Sequence, residues 1–355
     1  MKKILILIIL AFTCTGCYDY KEINDLAIIS AIGVDYDNEK YIITLELLND
    51  QLDKNSSKIT SYTKIGSGDT LTSAIENAAD KLSKQPLFNH IKIMILSDNI
   101  IQNKFDNIID LFLRNTYFRE NFYVIATDNK PDDILKNITE ENPVASNAIT
   151  SLLENMKYSS NTAIIKQFDE IIEEITTFGR DTCFSNISLK NKEFLVNGMV
   201  IFKDYKYKNK LNNDDAKMYN ILNNNFSRPT FTKKYDNLSF TVAINNGKTN
   251  TNIEDNYINI NGKLMGRILD NDPEFNIKKK DNVNKINKDF SKLINDNLVK
   301  FIKKIQENDS DILGLTEKYY KKTRIKNKDY WLNLDTKSDI DFYINKKGLI
   351  YKVEK

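Results

Sequence analysis

Apolar positions fall along the chain in short, evenly spaced blocks. Leu26–Val34 and Tyr41–Leu48 are two apolar runs separated by the Asp-Asn turn chemistry of residues 35–40, which predicts a β-hairpin. The second run alternates around Thr44 and Glu46, as a half-buried strand does. After a polar loop over residues 49–58, Gly66-Ser67-Gly68-Asp69-Thr70 opens a helix. Leu71, Ala74, Ile75, Ala78 and Leu82 form its stripe, Asp69 is its N-cap and Pro86 marks its end. His90–Leu96 predicts a strand, Asp106–Asn115 a helix, Phe122–Ala126 a strand and Pro131–Leu135 a short helix begun by proline. Helical spacing returns over Asn147–Met156. It returns again over Thr162–Thr176, through Ile164, Ile165, Phe168, Ile171, Ile172 and Ile175, with Gly179 as the stop.

Strands follow at Thr182–Leu189, Phe194–Lys203 and Tyr205–Leu211. A helix capped at Asn213–Asp215 then runs through Leu222, and Arg228-Pro229 is a boundary. From Leu238 the pattern is β-rich, with Ile258 and Ile260 alternating with asparagines as in an antiparallel strand with one wet face. Asp281–Glu307 predicts the longest helix, with Val283, Ile286, Phe290, Leu293, Ile294, Phe301 and Ile305 on its buried face and Lys, Asp and Asn on the other. Ile340–Ile344 and Leu349–Val353 close the chain as a hairpin. Strands alternating with helices give an α+β class, mixed sheets with packed helices, in two to three small domains. The expected division is 1–16 as an export signal, 17–190 as one mixed region and 191–355 as a second.

The first segment sets the location. Lys2 and Lys3 precede an unbroken apolar run, Ile4–Phe12, the layout of a secretory signal. The run is shorter than the roughly 20 residues a spanning helix needs. Cleavage near Gly16 as a plain signal peptide is one reading. The sharper reading is a lipoprotein signal, cut between Gly16 and Cys17, with a diacylglycerol on the Cys17 thiol and Tyr18–Asp25 as a short tether. Cys14 stands where a lipobox usually carries Leu. Each buried CH₂ of such an anchor adds about 0.8 kcal/mol of membrane affinity.

Composition narrows the partners. Of the 355 residues, 41% are hydrophobic and 28% charged, an ordinary globular balance. Without residues 1–16 the chain carries 49 Lys and Arg against 49 Asp and Glu, which argues against nucleic acid as its main partner. Cys183 is the one cysteine left after Cys14 leaves with the signal and Cys17 takes the lipid, so no intramolecular disulfide is expected.

Candidate chemistry is sparse. The Gly66–Thr70 loop lacks the Gly-Lys-Ser/Thr of a phosphate loop and reads as a tight turn. His90, the only histidine, has no second histidine for a metal pair and no Gly-x-Ser-x-Gly elbow beside it. A carboxylate pair of the glycosidase kind stays open on residue types alone. No catalytic, cofactor-binding or metal site is expected, and the chain reads as an interaction protein.

Several blocks together resemble the Ger(x)C family, the lipoprotein subunit of spore nutrient germinant receptors. They are Glu22–Leu26 with Ala31–Asp35, Gly66–Leu71 with Ala74-Ile75, Asn89–Lys92, Asp110 with Arg114 and Arg119, Asn197–Lys203, and Gln306, Asp311, Gly314 and Trp331. Tyr18 stands where the family often has Trp, Leu313-Gly314 replaces Phe-Gly, and Asn209-Lys210-Leu211 lacks the usual Gly-Leu. The resemblance implies a mixed α/β fold in three small domains and no enzymatic activity. It implies anchoring by Cys17 to the outer face of the spore inner membrane, and assembly with two integral membrane subunits, A and B. It carries over no ligand-binding residue. The alternative is a solute-binding lipoprotein of a membrane transporter, which would need two lobes around a ligand cleft.

Overall fold

The computed structural model describes residues 25–49, 59–114, 118–139, 142–235, 238–271 and 280–346. The signal at 1–16, the Gly16–Cys17 cleavage and lipidation site, the tether up to Asn24, the loop over 50–58 and the strand expected at Leu349–Val353 lie outside these residues.

Nine strands form the first sheet: β1 (Leu26–Asp37), β2 (Lys40–Asn49), β3 (Thr60–Gly68), β4 (Gln85–Leu87), β5 (Ile93–Ser97), β6 (Tyr123–Thr127), β7 (Cys183–Lys190), β8 (Glu193–Lys203) and β9 (Lys206–Leu211). Their order is β3-β2-β1-β5-β6-β7-β8-β9, with β4 beside the start of β1. The middle strands β1, β5, β6 and β7 run parallel, and antiparallel hairpins extend both flanks. Parallel strands are covered on both faces, so their apolar runs are continuous. Met94 and Leu96 face helices α1 (Leu71–Ala79), α2 (Asp98–Asn103), α3 (Phe105–Arg114) and α6 (Phe168–Thr176). Ile93 and Ile95 face α4 (Pro131–Lys136) and α5 (Ala145–Ser159).

The second sheet is β10 (Thr230–Tyr235), β11 (Leu238–Glu254), β12 (Tyr257–Asn271) and β13 (Asp335–Lys346), in that order. Helix α7 (Asn213–Leu222) links the two sheets, and α8 (Lys280–Glu307) and α9 (Leu315–Thr323) lie between β12 and its parallel neighbour β13. Val283, Ile286, Phe290, Ile294, Leu298, Phe301, Ile302 and Ile305 of α8 are buried, and fully burying each such side chain stabilises the fold by about 1.5–3 kcal/mol. Asn287, Ser291 and Asn295, one turn apart on the same helix, bind the outer edge of β13. The Ile344, Phe342 and Ile340 N–H groups donate to them at 3.0, 2.8 and 2.9 Å. Among the described residues no helix is long and apolar enough to cross a membrane.

The mixed α+β class and the helix over 281–307 agree with the sequence pattern. Several local expectations are corrected. The N-cap of α1 is Thr70, whose side chain accepts from the Ser73 N–H while Ser73 answers to the Thr70 N–H, so Asp69 is displaced by one. The helix expected over Thr162–Thr176 is only Phe168–Thr176. Residues 162–167 run extended because β6 and β7 bond them: the Val124 N–H donates to Lys166 O and the Ser185 N–H to Ile164 O. Gly179 lies two residues beyond the cap Thr177. His90 belongs to a 3₁₀ turn before β5. Strands β3 and β10 and helix α9 were not anticipated by the pattern. The division expected at residue 190 coincides with the Asn191-Lys192 turn between β7 and β8, neighbouring strands of one sheet.

The half-buried reading of Tyr41–Leu48 also changes, since Glu46 is fully buried. Its carboxylate accepts from the Ser30 hydroxyl at 2.7 Å, the Ser61 hydroxyl at 2.8 Å, and the Ala145 and Ser146 N–H groups at 2.7 and 3.1 Å. Val144, the N-cap of α5, has no side chain able to do this, so a strand carboxylate caps the helix from outside. Glu46→Ala leaves these buried donors without an acceptor. It should cost about 3 kcal/mol, read as a lower urea midpoint at unchanged slope.

Candidate functional site

The residues singled out in the closing block of the sequence meet where the two sheets join. Ser310–Gly314, between α8 and α9, lies against Gly179–Asp181, the approach to β7. The Asp181 N–H donates to Asp311 O at 3.0 Å, and the Asp311 N–H donates back to Asp181 Oδ2 at 2.7 Å. Asp181 Oδ1 also accepts from the Asp204 N–H at 2.9 Å. Both oxygens of Asp311 serve the first turn of α9, accepting from Leu315 and Thr316 N–H at 2.8 and 2.7 Å. The Glu317 N–H reaches Gly179 O at 3.1 Å. Gly179 has φ +75, and a Cβ there would stand 2.6 Å from Thr316 Cγ2, so glycine is required by backbone and by space. Around this clasp, Ser310 donates to Phe202 O, Lys203 pairs with Asp309, and Gln306 donates to the carbonyls of Trp331 and Leu334 at 2.8 and 2.9 Å. Trp331 is buried.

Deeper in the same seam is an ionic cluster. Lys166, on the extended segment before α6, pairs with Glu174 of that helix, and both are buried. Glu174 Oε2 accepts from the Thr182 hydroxyl at 2.7 Å, and Arg180 stands 3.4 Å from Oε1 and 3.6 Å from Glu317 of α9. Lys166 Nζ lies 3.8 Å from Cys183 Sγ and 5.5 Å from the ring centroid of Tyr219 on α7. Burial opposes the charge on Lys166, but the paired Glu174 carboxylate outweighs it and holds the amine protonated. Burial pushes the Cys183 thiol up to about 11 and raises the Tyr219 phenol further from its ionised form. A protonated amine beside an un-ionised thiol is a structural arrangement, since the thiolate is the nucleophile.

The other candidate residues are placed apart from this seam. His90 is exposed on its turn. The Gly66–Thr70 loop is no phosphate cradle. A Cβ on Gly66 would stand 2.3 Å from Ala74 O and Ala78 N, so its glycine lets β3 lie against α1. Asp110 and Arg114 form an i,i+4 pair at 2.7 Å on the exposed face of α3. Among the described residues no group of three or more His, Cys, Asp or Glu is placed to hold a metal. The seam itself leaves a cleft of about 20 Å³ between Arg180, Asp181, Lys203 and Trp331, room for a single water and not for a solute. Gln306, Asp311, Gly314 and Trp331 were legible as a set in the sequence. Asp181, Lys166 and Glu174 were not, and only the spacing of Asp181 ahead of a strand could have drawn attention to them.

Comparison with known proteins accounts for nearly the whole chain. Residues 19–189 match the family model "Spore germination protein N-terminal domain", and residues 197–350 match "Spore germination B3/GerAC like, C-terminal". The spore germination protein GerQC of Bacillus cereus is 24% identical over 89% of this chain and 89% of its own length. The spore germination protein KC of Bacillus subtilis is 23% identical over 94% of this chain and 92% of its own length. The crystal structure of the GerBC protein superposes with a TM-score of 0.57 at 16% identity, over 88% of this chain and 96% of that one, a likeness of fold.

Two outcomes test the seam. Burial outweighs the two N–H donors at Asp311 and holds its carboxyl up to about 6. A carboxyl whose folded value lies above its ordinary one favours folding while protonated. That contribution is complete below the ordinary value of 3.8 and is lost as pH rises through about 6. Relative to Asp311→Asn, the parent should therefore lose stability between about pH 4 and about pH 7, measured as the difference between their urea midpoints. Lys166→Met strands the Glu174 carboxylate in the seam and should cost about 3–5 kcal/mol, whereas Lys166→Met with Glu174→Leu should recover most of it.

Proposed function

The chain belongs to the Ger(x)C family of spore germination proteins, and on that premise we propose that it is the lipid-anchored C subunit of a nutrient germinant receptor. It acts by contact with two integral membrane subunits, A and B, and not by catalysis. The observation that carries this reading is the paired family match, which runs from residue 19 to residue 350 with only residues 190–196 between its two parts. The seam supports it. Asp311 of the family's closing block fastens one sheet to the other through Asp181, and Gln306 ties Trp331 and Leu334 behind it, so these features maintain a fixed shape for partners to recognise.

The anchor in this proposal is a diacylglycerol on Cys17, and the site of action is the outer face of the spore inner membrane. Leu26 begins β1, a middle strand of the first sheet, so only residues 18–25 separate the lipid from the folded body. Two acyl chains anchor stably where one does not.

Cys17→Ser should release the protein from spore membranes. Retention of this variant on membranes at high salt would defeat the anchor. The tagged chain purified from dormant spores should bring down two multi-span membrane proteins in constant ratio, and recovery of the chain alone would defeat the receptor reading.

A further inference from the structure

The neutral balance of the mature chain hides a division of charge. Residues 17–190 carry 17 Lys and Arg against 27 Asp and Glu, and residues 191–355 carry 32 against 22. The positive excess is dense over residues 315–328, which hold six Lys and Arg and one carboxylate, Glu317. Helix α9 ends there as Arg324 turns into the left-handed region at φ 64, and Arg324, Ile325 and Lys326 form an exposed tip. Lys321, Lys322 and Lys328 are engaged by Glu317, Glu254 and Asp204. Among the described residues no carboxylate lies within ion-pair distance of Arg324 or Lys326. Lys326 Nζ stands 5.8 and 5.9 Å from the ring centroids of Phe178 and Tyr320. Between the two cations, Ile325 is 53% exposed, a large aliphatic side chain in water.

The place of this tip in the fold gives it a direction. In the parallel strands, Ala31 pairs with Ile93, Ile93 with Tyr123, and Ala126 with Asn186, so Cys183 is level with Ala31. Counting back, Arg180 is level with Ile28, close to the point where the chain enters β1. Helix α9 is fastened to that edge by the Glu317 N–H on Gly179 O and by the Phe178 and Tyr320 rings, 5.2 Å apart. Three strand spacings, about 14 Å, separate the entry point from the approach to β7. The point where the chain enters β1 and the cationic tip therefore share one edge of the sheet. Asp98 and Asp128 stand at the carboxyl ends of β5 and β6, on the opposite edge.

We propose that the Arg324–Ile325–Lys326 tip rests on the surface of an anionic phospholipid bilayer, holding the amino-terminal edge of the nine-stranded sheet toward the membrane. The proposal rests on the reading of Cys17 as the anchor, which brings this edge to the lipid. Each Lys or Arg held at an anionic surface strengthens binding roughly fivefold, and the effect is screened beyond about 10 Å at ordinary salt. Ile325 supplies apolar contact at the headgroup boundary, where amphipathic segments seat.

The test uses the full lipidated chain in vesicles of phosphatidylcholine, with and without phosphatidylglycerol, read by hydrogen exchange. Exchange over residues 320–328 should slow only with phosphatidylglycerol, recover at high salt, and be unaffected by lipid in Arg324→Glu with Lys326→Glu. Ile325→Ser should retain the salt dependence with weaker protection. Flotation of the Cys17→Ser chain with phosphatidylglycerol vesicles should fall at least about 25-fold when both charges are reversed. Equal exchange in both vesicles with the chain still anchored would overturn the tip and leave the anchor standing. Charge-dependent flotation with no difference between the Cys17 and Cys17→Ser chains would do the reverse. Protection that appears only when integral subunits are added would assign the tip to a protein contact and overturn the lipid proposal.

Discussion

The joint between the sheets depends on a charge that cannot be left alone. Lys166 is buried among Glu174, Cys183 and Tyr219, and each of these comes from a different element. An ion pair out of water is held only if geometry and further hydrogen bonds compensate the lost hydration. Thr182 and Arg180 complete that shell at the carboxylate, and Arg180 passes the interaction on to Glu317. Drawing the second sheet away from the first would remove Glu317 from this cluster and break the reciprocal bonds of Asp181 and Asp311. The two halves are therefore coupled through groups that are costly to leave unpaired.

The chain's connectivity adds to that coupling. Strands β8 and β9 come after the turn at Asn191-Lys192 yet extend the first sheet, and α7 then crosses to the second. Gly198, with φ +80, lets β8 approach the backbone so closely that a Cβ would stand 1.9 Å from Leu211 O. The central block Asn197–Lys203 that marks the family is thus a strand placed between the halves. Its far end supplies Phe202 and Lys203 to the seam. Cores accept many apolar substitutions if volume and pattern are kept. That is the physical reason a fold can be shared with GerBC at 16% identity.

The sequence made the interior of the first sheet legible, because IMIL and YVIA are short apolar runs of the kind a doubly covered strand carries. It concealed β3 and β10, whose residues TSYTKIGSG and TFTKKY carry too few apolar side chains to show a period. It overextended α6, since Ile164 and Ile165 fall in helical register by chance while their backbone is claimed by neighbouring strands. Helix α9, LTEKYYKKT, has almost no apolar stripe, and Asp311 holds its first turn. The seam was half visible. Motif residues mark its second side, but Asp181 and Asp311 are 130 positions apart, and no local pattern encodes a contact at that distance. Glu46 misled for a similar reason: its carboxylate belongs to a helix about a hundred residues later.

The row of Asn287, Ser291 and Asn295 along α8 has a consequence for how other molecules can engage this side of the protein. An unpaired strand edge is a template onto which another chain can add a strand. Here the amides of Ile340, Phe342 and Ile344 are already occupied by side chains from within. Recruitment by strand addition is closed along β13, and a partner meeting this flank must read side chains, not backbone. The same closure keeps copies of the chain from joining sheet to sheet along β13, so assembly on this flank is left to surfaces whose identity the side chains can specify.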